Sequence, residues 1–169
     1  MKSRYQIRIA TEPDLQFIQD IERSASALFP VGRIPDLDDV MPMHDLRRAC
    51  ARRLVLVASR GEVMVGFAMS KEYDDRLHLA VMAVHPDHGR RGLGTEMVRA
   101  VIKQAERRGL AGVTLTTFQD IAWNAPFYGK LGFRILNDTE LDSMLRETLA
   151  HETSLGMTHR VGMLYVARS

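Results

Sequence analysis

The stretch that decides the fold runs from Leu79 to Ala105. It consists of LAVMAV (Leu79–Val84), HPDHGRRGLG (His85–Gly94) and TEMVRAVIKQA (Thr95–Ala105). The first six residues read as a short buried strand. In the last part Leu93, Met97, Val98, Val101, Ile102 and Ala105 form one apolar helical stripe, and Arg107–Arg108–Gly109 supplies basic last-turn residues and a terminating glycine. Gly89, Gly92 and Gly94 fall where strand gives way to helix, so main-chain amides there can turn outward with no Cβ in the way. Such a turn can serve only to reverse the chain. It can also act as an anion cradle, because a helix N-terminus joined to a glycine-rich nest offers unpaired N–H groups to a diphosphate.

Downstream, WNAPFYGKLGF (Trp123–Phe133) reads as a short helix over Ala125–Leu131. Asn124 is at its N-cap, Pro126 in its first turn and Gly132 just past its end. The i, i+4 spacing stacks Asn124 and Tyr128 on one face. Taken with the glycine turn, this segment resembles the GNAT superfamily of acyl-coenzyme-A-dependent N-acetyltransferases. The resemblance covers nearly the whole chain and is strongest from Val63 to Phe133. It implies a mixed α/β fold in which helices flank a mixed, mostly antiparallel sheet of six to seven strands.

Several roles follow from the resemblance. The family's diphosphate loop reads Gln or Arg, two residues, Gly, one residue, then Gly or Ala, which places Gly92 and Gly94 at its last two positions. Gly89 stands where the Gln or Arg is usual, a departure that leaves the holding to loop amides, with Arg90 or Arg91 adding charge. The coenzyme-binding set is then Gly89, Arg90, Arg91, Gly92, Leu93, Gly94 and Thr95, together with Met82, Ala83 and Val84 on the central strand and Asn124 and Phe127 beyond it. On that strand a bulge is expected to free a backbone N–H for the thioester carbonyl. Tyr128 is expected to protonate the departing thiolate, since a phenol with an ordinary pKa near 10 is neutral at pH 7. The implied cosubstrate is acetyl-coenzyme A, and the implied acceptor is a primary amine of a small molecule or of a protein. A non-catalytic acyl-coenzyme-A sensor is the rival reading.

The general base is open at this stage. Where many relatives carry a glutamate on the central strand, this chain has Val81, and Val113–Phe118 has no acid. The remaining candidates are Glu22, His78, Asp120 or a chain of waters. Leu15, Ile18, Ile21, Ala25 and Leu28 mark the buried face of a first helix, opened by Thr11 and Asp14 in capping-box spacing. Glu22 falls inside that apolar arc, either as a boundary residue or as a carboxylate at the acceptor pocket. His78 alternates away from Leu79 and Val81 and ranks below Glu22. Phe29–Pro42 is loop-like; by analogy with the family, Phe29, Met41 and Met43 line an apolar part of the pocket and Asp36, Asp38 and Asp39 attract a cationic amine, or the segment is an ordinary solvated loop whose few apolar residues dock on the core.

The whole chain sets outer bounds. Its 169 residues, 46% hydrophobic, suit one domain over 1–169. A formal net charge of +2 with dispersed arginine pairs argues against nucleic acid. The apolar runs are too short to span a bilayer and the N-terminus lacks a signal region, so a cytoplasmic protein is expected. The lone Cys50 fits a reducing compartment and no disulfide framework. His85 and His88 are three apart with no further ligand nearby, so no metal is expected. Asn137–Gly156 reads as a helical insertion that could cover the acceptor site, extend a homodimer surface or cap the sheet.

Overall fold

The computed structural model describes residues 4–168. Seven strands form one sheet in the order β1-β2-β3-β4-β5-β7-β6. They are β1 (Gln6–Ile9), β2 (Val55–Arg60), β3 (Val63–Tyr73), β4 (Arg76–Val84), β5 (Gly112–Phe118), β6 (Arg134–Ile135) and β7 (Arg160–Val166). Every neighbouring pair is antiparallel except β4 and β5. The helices are α1 (Ile18–Ser26), α2 (Met43–Ala51), α3 (Leu93–Arg107), α4 (Ala125–Lys130) and α5 (Ser143–Ser154). The six- to seven-stranded mixed sheet expected from the sequence is therefore present.

One break in the sheet matters most. Pairing between β4 and β5 covers only Arg76 to His78 against Gly112 to Thr114, although both strands continue well past it. Two parallel neighbours that splay apart leave backbone groups and side chains facing a gap, and here a cleft enters the sheet. On the other edge of β4 the register slips: Ser70 pairs with Leu79 but Met69 pairs with Val81, so Ala80 is an extra, bulged residue. A bulge re-aims the residues that follow it. The kink thus falls where the cleft opens.

α3 follows its sequence pattern closely, with Leu93, Met97, Val98, Val101, Ile102 and Ala105 all buried. The first helix departs from its expected form. A 3-10 segment over Glu12–Phe17 precedes α1. The Thr11 N–H and hydroxyl both donate to Asp14 Oδ2, at 2.7 and 3.0 Å, so the carboxylate supplies the expected cap. Leu28, assigned to the buried face, is instead 55% exposed, because α1 ends at Ser26 and the apolar stripe no longer has a helix to continue on. The insertion forms α5, capped by Asp142 Oδ1, which accepts from Leu145 N–H at 2.8 Å. Leu145 is fully buried beside Leu136 and Leu164. Leu141 comes so close to β7 that a Cβ on Gly162 would lie 2.9 Å from it.

Candidate active site

The loop after β4 is built to face an anion. Arg90 and Gly92 both adopt left-handed backbone, with φ of 58° and 82°, amid residues of ordinary conformation. Alternation of this kind turns successive amides to one side. Among the described residues, the main-chain N–H groups from Arg90 to Thr95 donate to no protein acceptor, and the first helical bond is Glu96 N–H to Gly92 O at 3.1 Å. A Cβ at Gly92 would meet nothing within 4 Å, so the concave side is open. At Gly89 the φ is −67° and a Cβ would make only ordinary contact with Pro86 O, so the backbone tolerates the departure from the family pattern without requiring it. These features fit a diphosphate. Phe127 stands at the same end, its ring 3.4 Å from where a Cβ of Gly94 would be.

The cleft between β4 and β5 opens into a cavity of about 270 Å³. Met82 and Ala83 line it, whereas Val84 does not and pairs with Gly66 in the sheet. Tyr128 reaches it from α4, its ring held edge-on by Phe127 and Phe133 at centroid distances of 5.1 and 5.6 Å. Burial pushes its phenol up to about 12, with Arg160 pulling the other way. The hydroxyl therefore keeps its proton at neutral pH.

Asn124 also lines the cavity, but it is not the side-chain cap expected. Its Oδ1 accepts from Phe118 N–H at 3.3 Å, tying the start of α4 to the end of β5. The buried end of β5 has an amide to satisfy, and that requirement takes the asparagine from its own helix. Trp123 is 48% exposed, with its ring 6.0 Å from that of Phe29.

Glu22 also lines the cavity. Its Oε2 accepts from Met41 N–H at 2.8 Å, and burial raises its pKa above the ordinary glutamate value, aided by the nearby Asp39. The other two protein candidates for the base fall away. His78 is buried, its Nδ1 within 3.0 Å of Thr114 Oγ1, and it does not border the cavity. Burial lowers its pKa to about 4, with Lys71 acting in the same direction. Asp120 is paired with Arg33 at 2.6 Å, outside the cavity. Met41 and Met43 are not lining residues either; Phe29, Ile34 and Pro35 fill that role, and Met41 contributes its amide instead.

Among the lining residues that escaped sequence reading, two stand beyond β6 in the chain. Met157 and Arg160 both border the cavity, and both follow the insertion. The signal was faint, since it required knowing that β7 lies beside β5. Of the three roles open to the insertion itself, capping the sheet is the one the geometry shows: α5 packs on β7 and β5, and no residue of 137–156 lines the cavity. His85 and His88 are engaged locally, through Asp87 N–H at 3.2 Å and the Tyr5 hydroxyl at 3.1 Å.

A splayed parallel pair, a nest of amides in the loop that follows β4, and a buried phenol and a carboxylate lining one cavity make up the cleft of an acyltransferase. The model of the acetyltransferase (GNAT) family matches residues 18–133, and the chain belongs to that family. Solved structures agree on the fold. The ribosomal-protein-S18-alanine N-acetyltransferase of Escherichia coli is similar at 21% identity and a TM-score of 0.71, over 98% of this chain and 95% of that one. The PaiA N-acetyltransferase of Thermoplasma acidophilum, crystallised with coenzyme A, matches at 16% identity and a TM-score of 0.72, over 96% and 98%. YncA of Salmonella typhimurium, crystallised with acetyl-coenzyme A, matches at 18% identity and a TM-score of 0.71, over 99% and 96%. Among the described residues no helix is long and apolar enough to cross a membrane.

Proposed function

We propose that this transferase moves an acetyl group from acetyl-coenzyme A to the primary amine of a small molecule, by direct attack with both substrates bound. The observation that carries the reading is a single cavity with Tyr128 and Glu22 on its walls, reached through the gap where β4 and β5 part. Acetyl-coenzyme A supplies an activated acyl carbon and a thiolate leaving group. The amides from Arg90 to Thr95, with the side chains of Arg90 and Arg91 nearby, hold its diphosphate. Met82, Ala83, Asn124 and Phe127 border its arm.

Glu22 takes the proton from the incoming amine. Its raised pKa brings it closer to the amine's own and makes it a better match as a base. A main-chain N–H on the unpaired edge of β4, re-aimed by the Ala80 bulge, steadies the negative charge that develops on the acyl oxygen. Tyr128 gives its proton to the departing sulfur. Cys50 takes no part: its Sγ donates to Ala10 O at 3.6 Å, and burial raises its pKa, which keeps it a thiol and a poor nucleophile.

A thiol-release screen of the purified protein with acetyl-coenzyme A across amines, amino acids and peptides tests the reading. Tyr128→Phe should lower kcat by ~100-fold while calorimetric affinity for coenzyme A stays unchanged. Equal turnover in the variant would remove the tyrosine from the chemistry. Coenzyme binding without thiol release from any amine would favour the sensor.

A further inference from the structure

Arg160 opens β7 opposite Phe118, the last residue of β5. Its guanidinium lies 4.5 Å over the Phe118 ring. Nε donates to both carboxylate oxygens of Glu152 at 3.2 Å, and Nη2 donates to Glu152 Oε2 at 3.0 Å and to Thr116 Oγ1 at 3.3 Å. The Thr116 hydroxyl in turn donates to Glu152 Oε2 at 3.1 Å. Both charged side chains are largely covered, at 14% and 11% exposure. Among the described residues Nη1 donates to no protein acceptor, so one arm of the fork has no assigned partner.

Burying such a pair costs desolvation that an apolar residue of similar size would avoid. The cost needs a return, and the location suggests one. Arg160 borders the cavity and, among the described residues, is the one cation that does so. Its charge is felt at the Tyr128 phenol, which puts it near the reacting end. The same cavity is also lined by three carboxylates, Glu22, Asp36 and Asp39. An acceptor with an ammonium on one side and an anion a few bonds away meets complementary charge on both. A planar guanidinium fixed on one edge suits a carboxylate on its remaining edge.

We propose that Arg160, held by Glu152 of the insertion helix, binds a carboxylate of the acceptor, so that the amine acetylated belongs to an amino acid. This rests on the acetyl-transfer reading above. In the step, the amine nitrogen bonds to the acetyl carbon as the carbon–sulfur bond breaks. The ammonium first gives one proton to solvent; as the free amine attacks, the second passes to Glu22 and the Tyr128 proton passes to sulfur, after which both side chains return to their starting states by exchange with solvent, and the carboxylate is unchanged. The products are an N-acetyl amino acid and the free thiol.

The experiment compares amino acids with the matched amines in which hydrogen replaces the carboxyl group, using wild type, Arg160→Lys and the double variant Glu152→Gln/Arg160→Gln. The double variant avoids leaving Glu152 buried and unpaired. Wild type should favour the carboxylated partner in kcat/KM by ~100-fold, the scale of losing one partner of a buried charge pair. In the double variant that preference should vanish through a higher acceptor KM, with the KM for acetyl-coenzyme A and the Tm retained. Arg160→Lys should recover part of it. Equal use of both partners by wild type, a preference for diamines, activity confined to peptides lacking a free α-carboxylate, or a preference surviving in the double variant would each overturn the proposal. Should no amine be acetylated, the acetyl-transfer reading fails, and calorimetric titration of amino acids into the coenzyme-A-loaded protein decides the present one. Binding lost in the double variant supports it; absence of binding overturns it.

Discussion

Burial acts in one direction on two acids that line the same cavity. It raises the pKa of Glu22 and pushes the Tyr128 phenol up to about 12. The consequences differ with the role. In the proposed role a base must be ionised to work, so the raised Glu22 shifts the acid limb of kcat/KM upward from that of an ordinary glutamate. A proton donor must be protonated, and Tyr128 remains so throughout neutral pH. Activity should fall as pH drops through the raised value of Glu22. Glu22→Gln should remove that limb and lower kcat/KM by ~100-fold or more, read from paired pH–rate profiles. A variant that keeps the wild-type limb would return the base to water. Both residues were legible in the sequence, Glu22 because an acid sat in an apolar arc and Tyr128 because its neighbours matched a pattern. Arg160 was not, since nothing local distinguishes it from the surface arginines.

The loop and the strand before it show what an element can and cannot reveal. Three glycines marked the turn, but the left-handed backbone at Arg90 is set by the loop's closed geometry and carries no glycine to announce it. Gly92→Glu combines a side chain at φ of 82° with a negative charge on the open side of the nest. Its coenzyme affinity should fall by ~100-fold or more, checked by calorimetry beside a circular-dichroism control for folding. On β4, His78 gives a test of stability. Its folded pKa of about 4 lies below the ordinary 6.5. The unfolded chain therefore binds the proton first, and stability drops as pH falls from about 6.5 toward 4, by on the order of 3 kcal/mol. Denaturant unfolding at pH 7 and 4.5 should show that loss, and His78→Gln should flatten it.

At the scale of the whole molecule, the insertion is joined to the site through the sheet. α5 packs on β7 and β5, and Glu152 on it reaches Arg160 at the cavity wall. Leu145 is the anchor, with no exposed surface. Leu145→Ala should cost about 3 kcal/mol, measured as a lower urea midpoint at unchanged slope. A smaller loss, within 0.5 kcal/mol of zero, would mean that α5 is only loosely docked.

The sequence by itself determined what is local or periodic: the strand and helix around His85–Gly94, the buried stripe of α3, the Thr11–Asp14 cap and the family pattern ending at Phe133. Those features depend on residues a few positions apart, where backbone sterics and helical spacing act directly. Only the tertiary structure decided that β4 and β5 part after His78, that Asn124 serves Phe118 instead of its own helix, and that Glu152 and Arg160 meet beside Thr116. Each depends on how turns and strands bring groups together outside any helical or strand spacing, from Phe118 and Asn124 six positions apart to Thr116 and Arg160 forty-four apart, and a linear pattern holds no record of which partner is near.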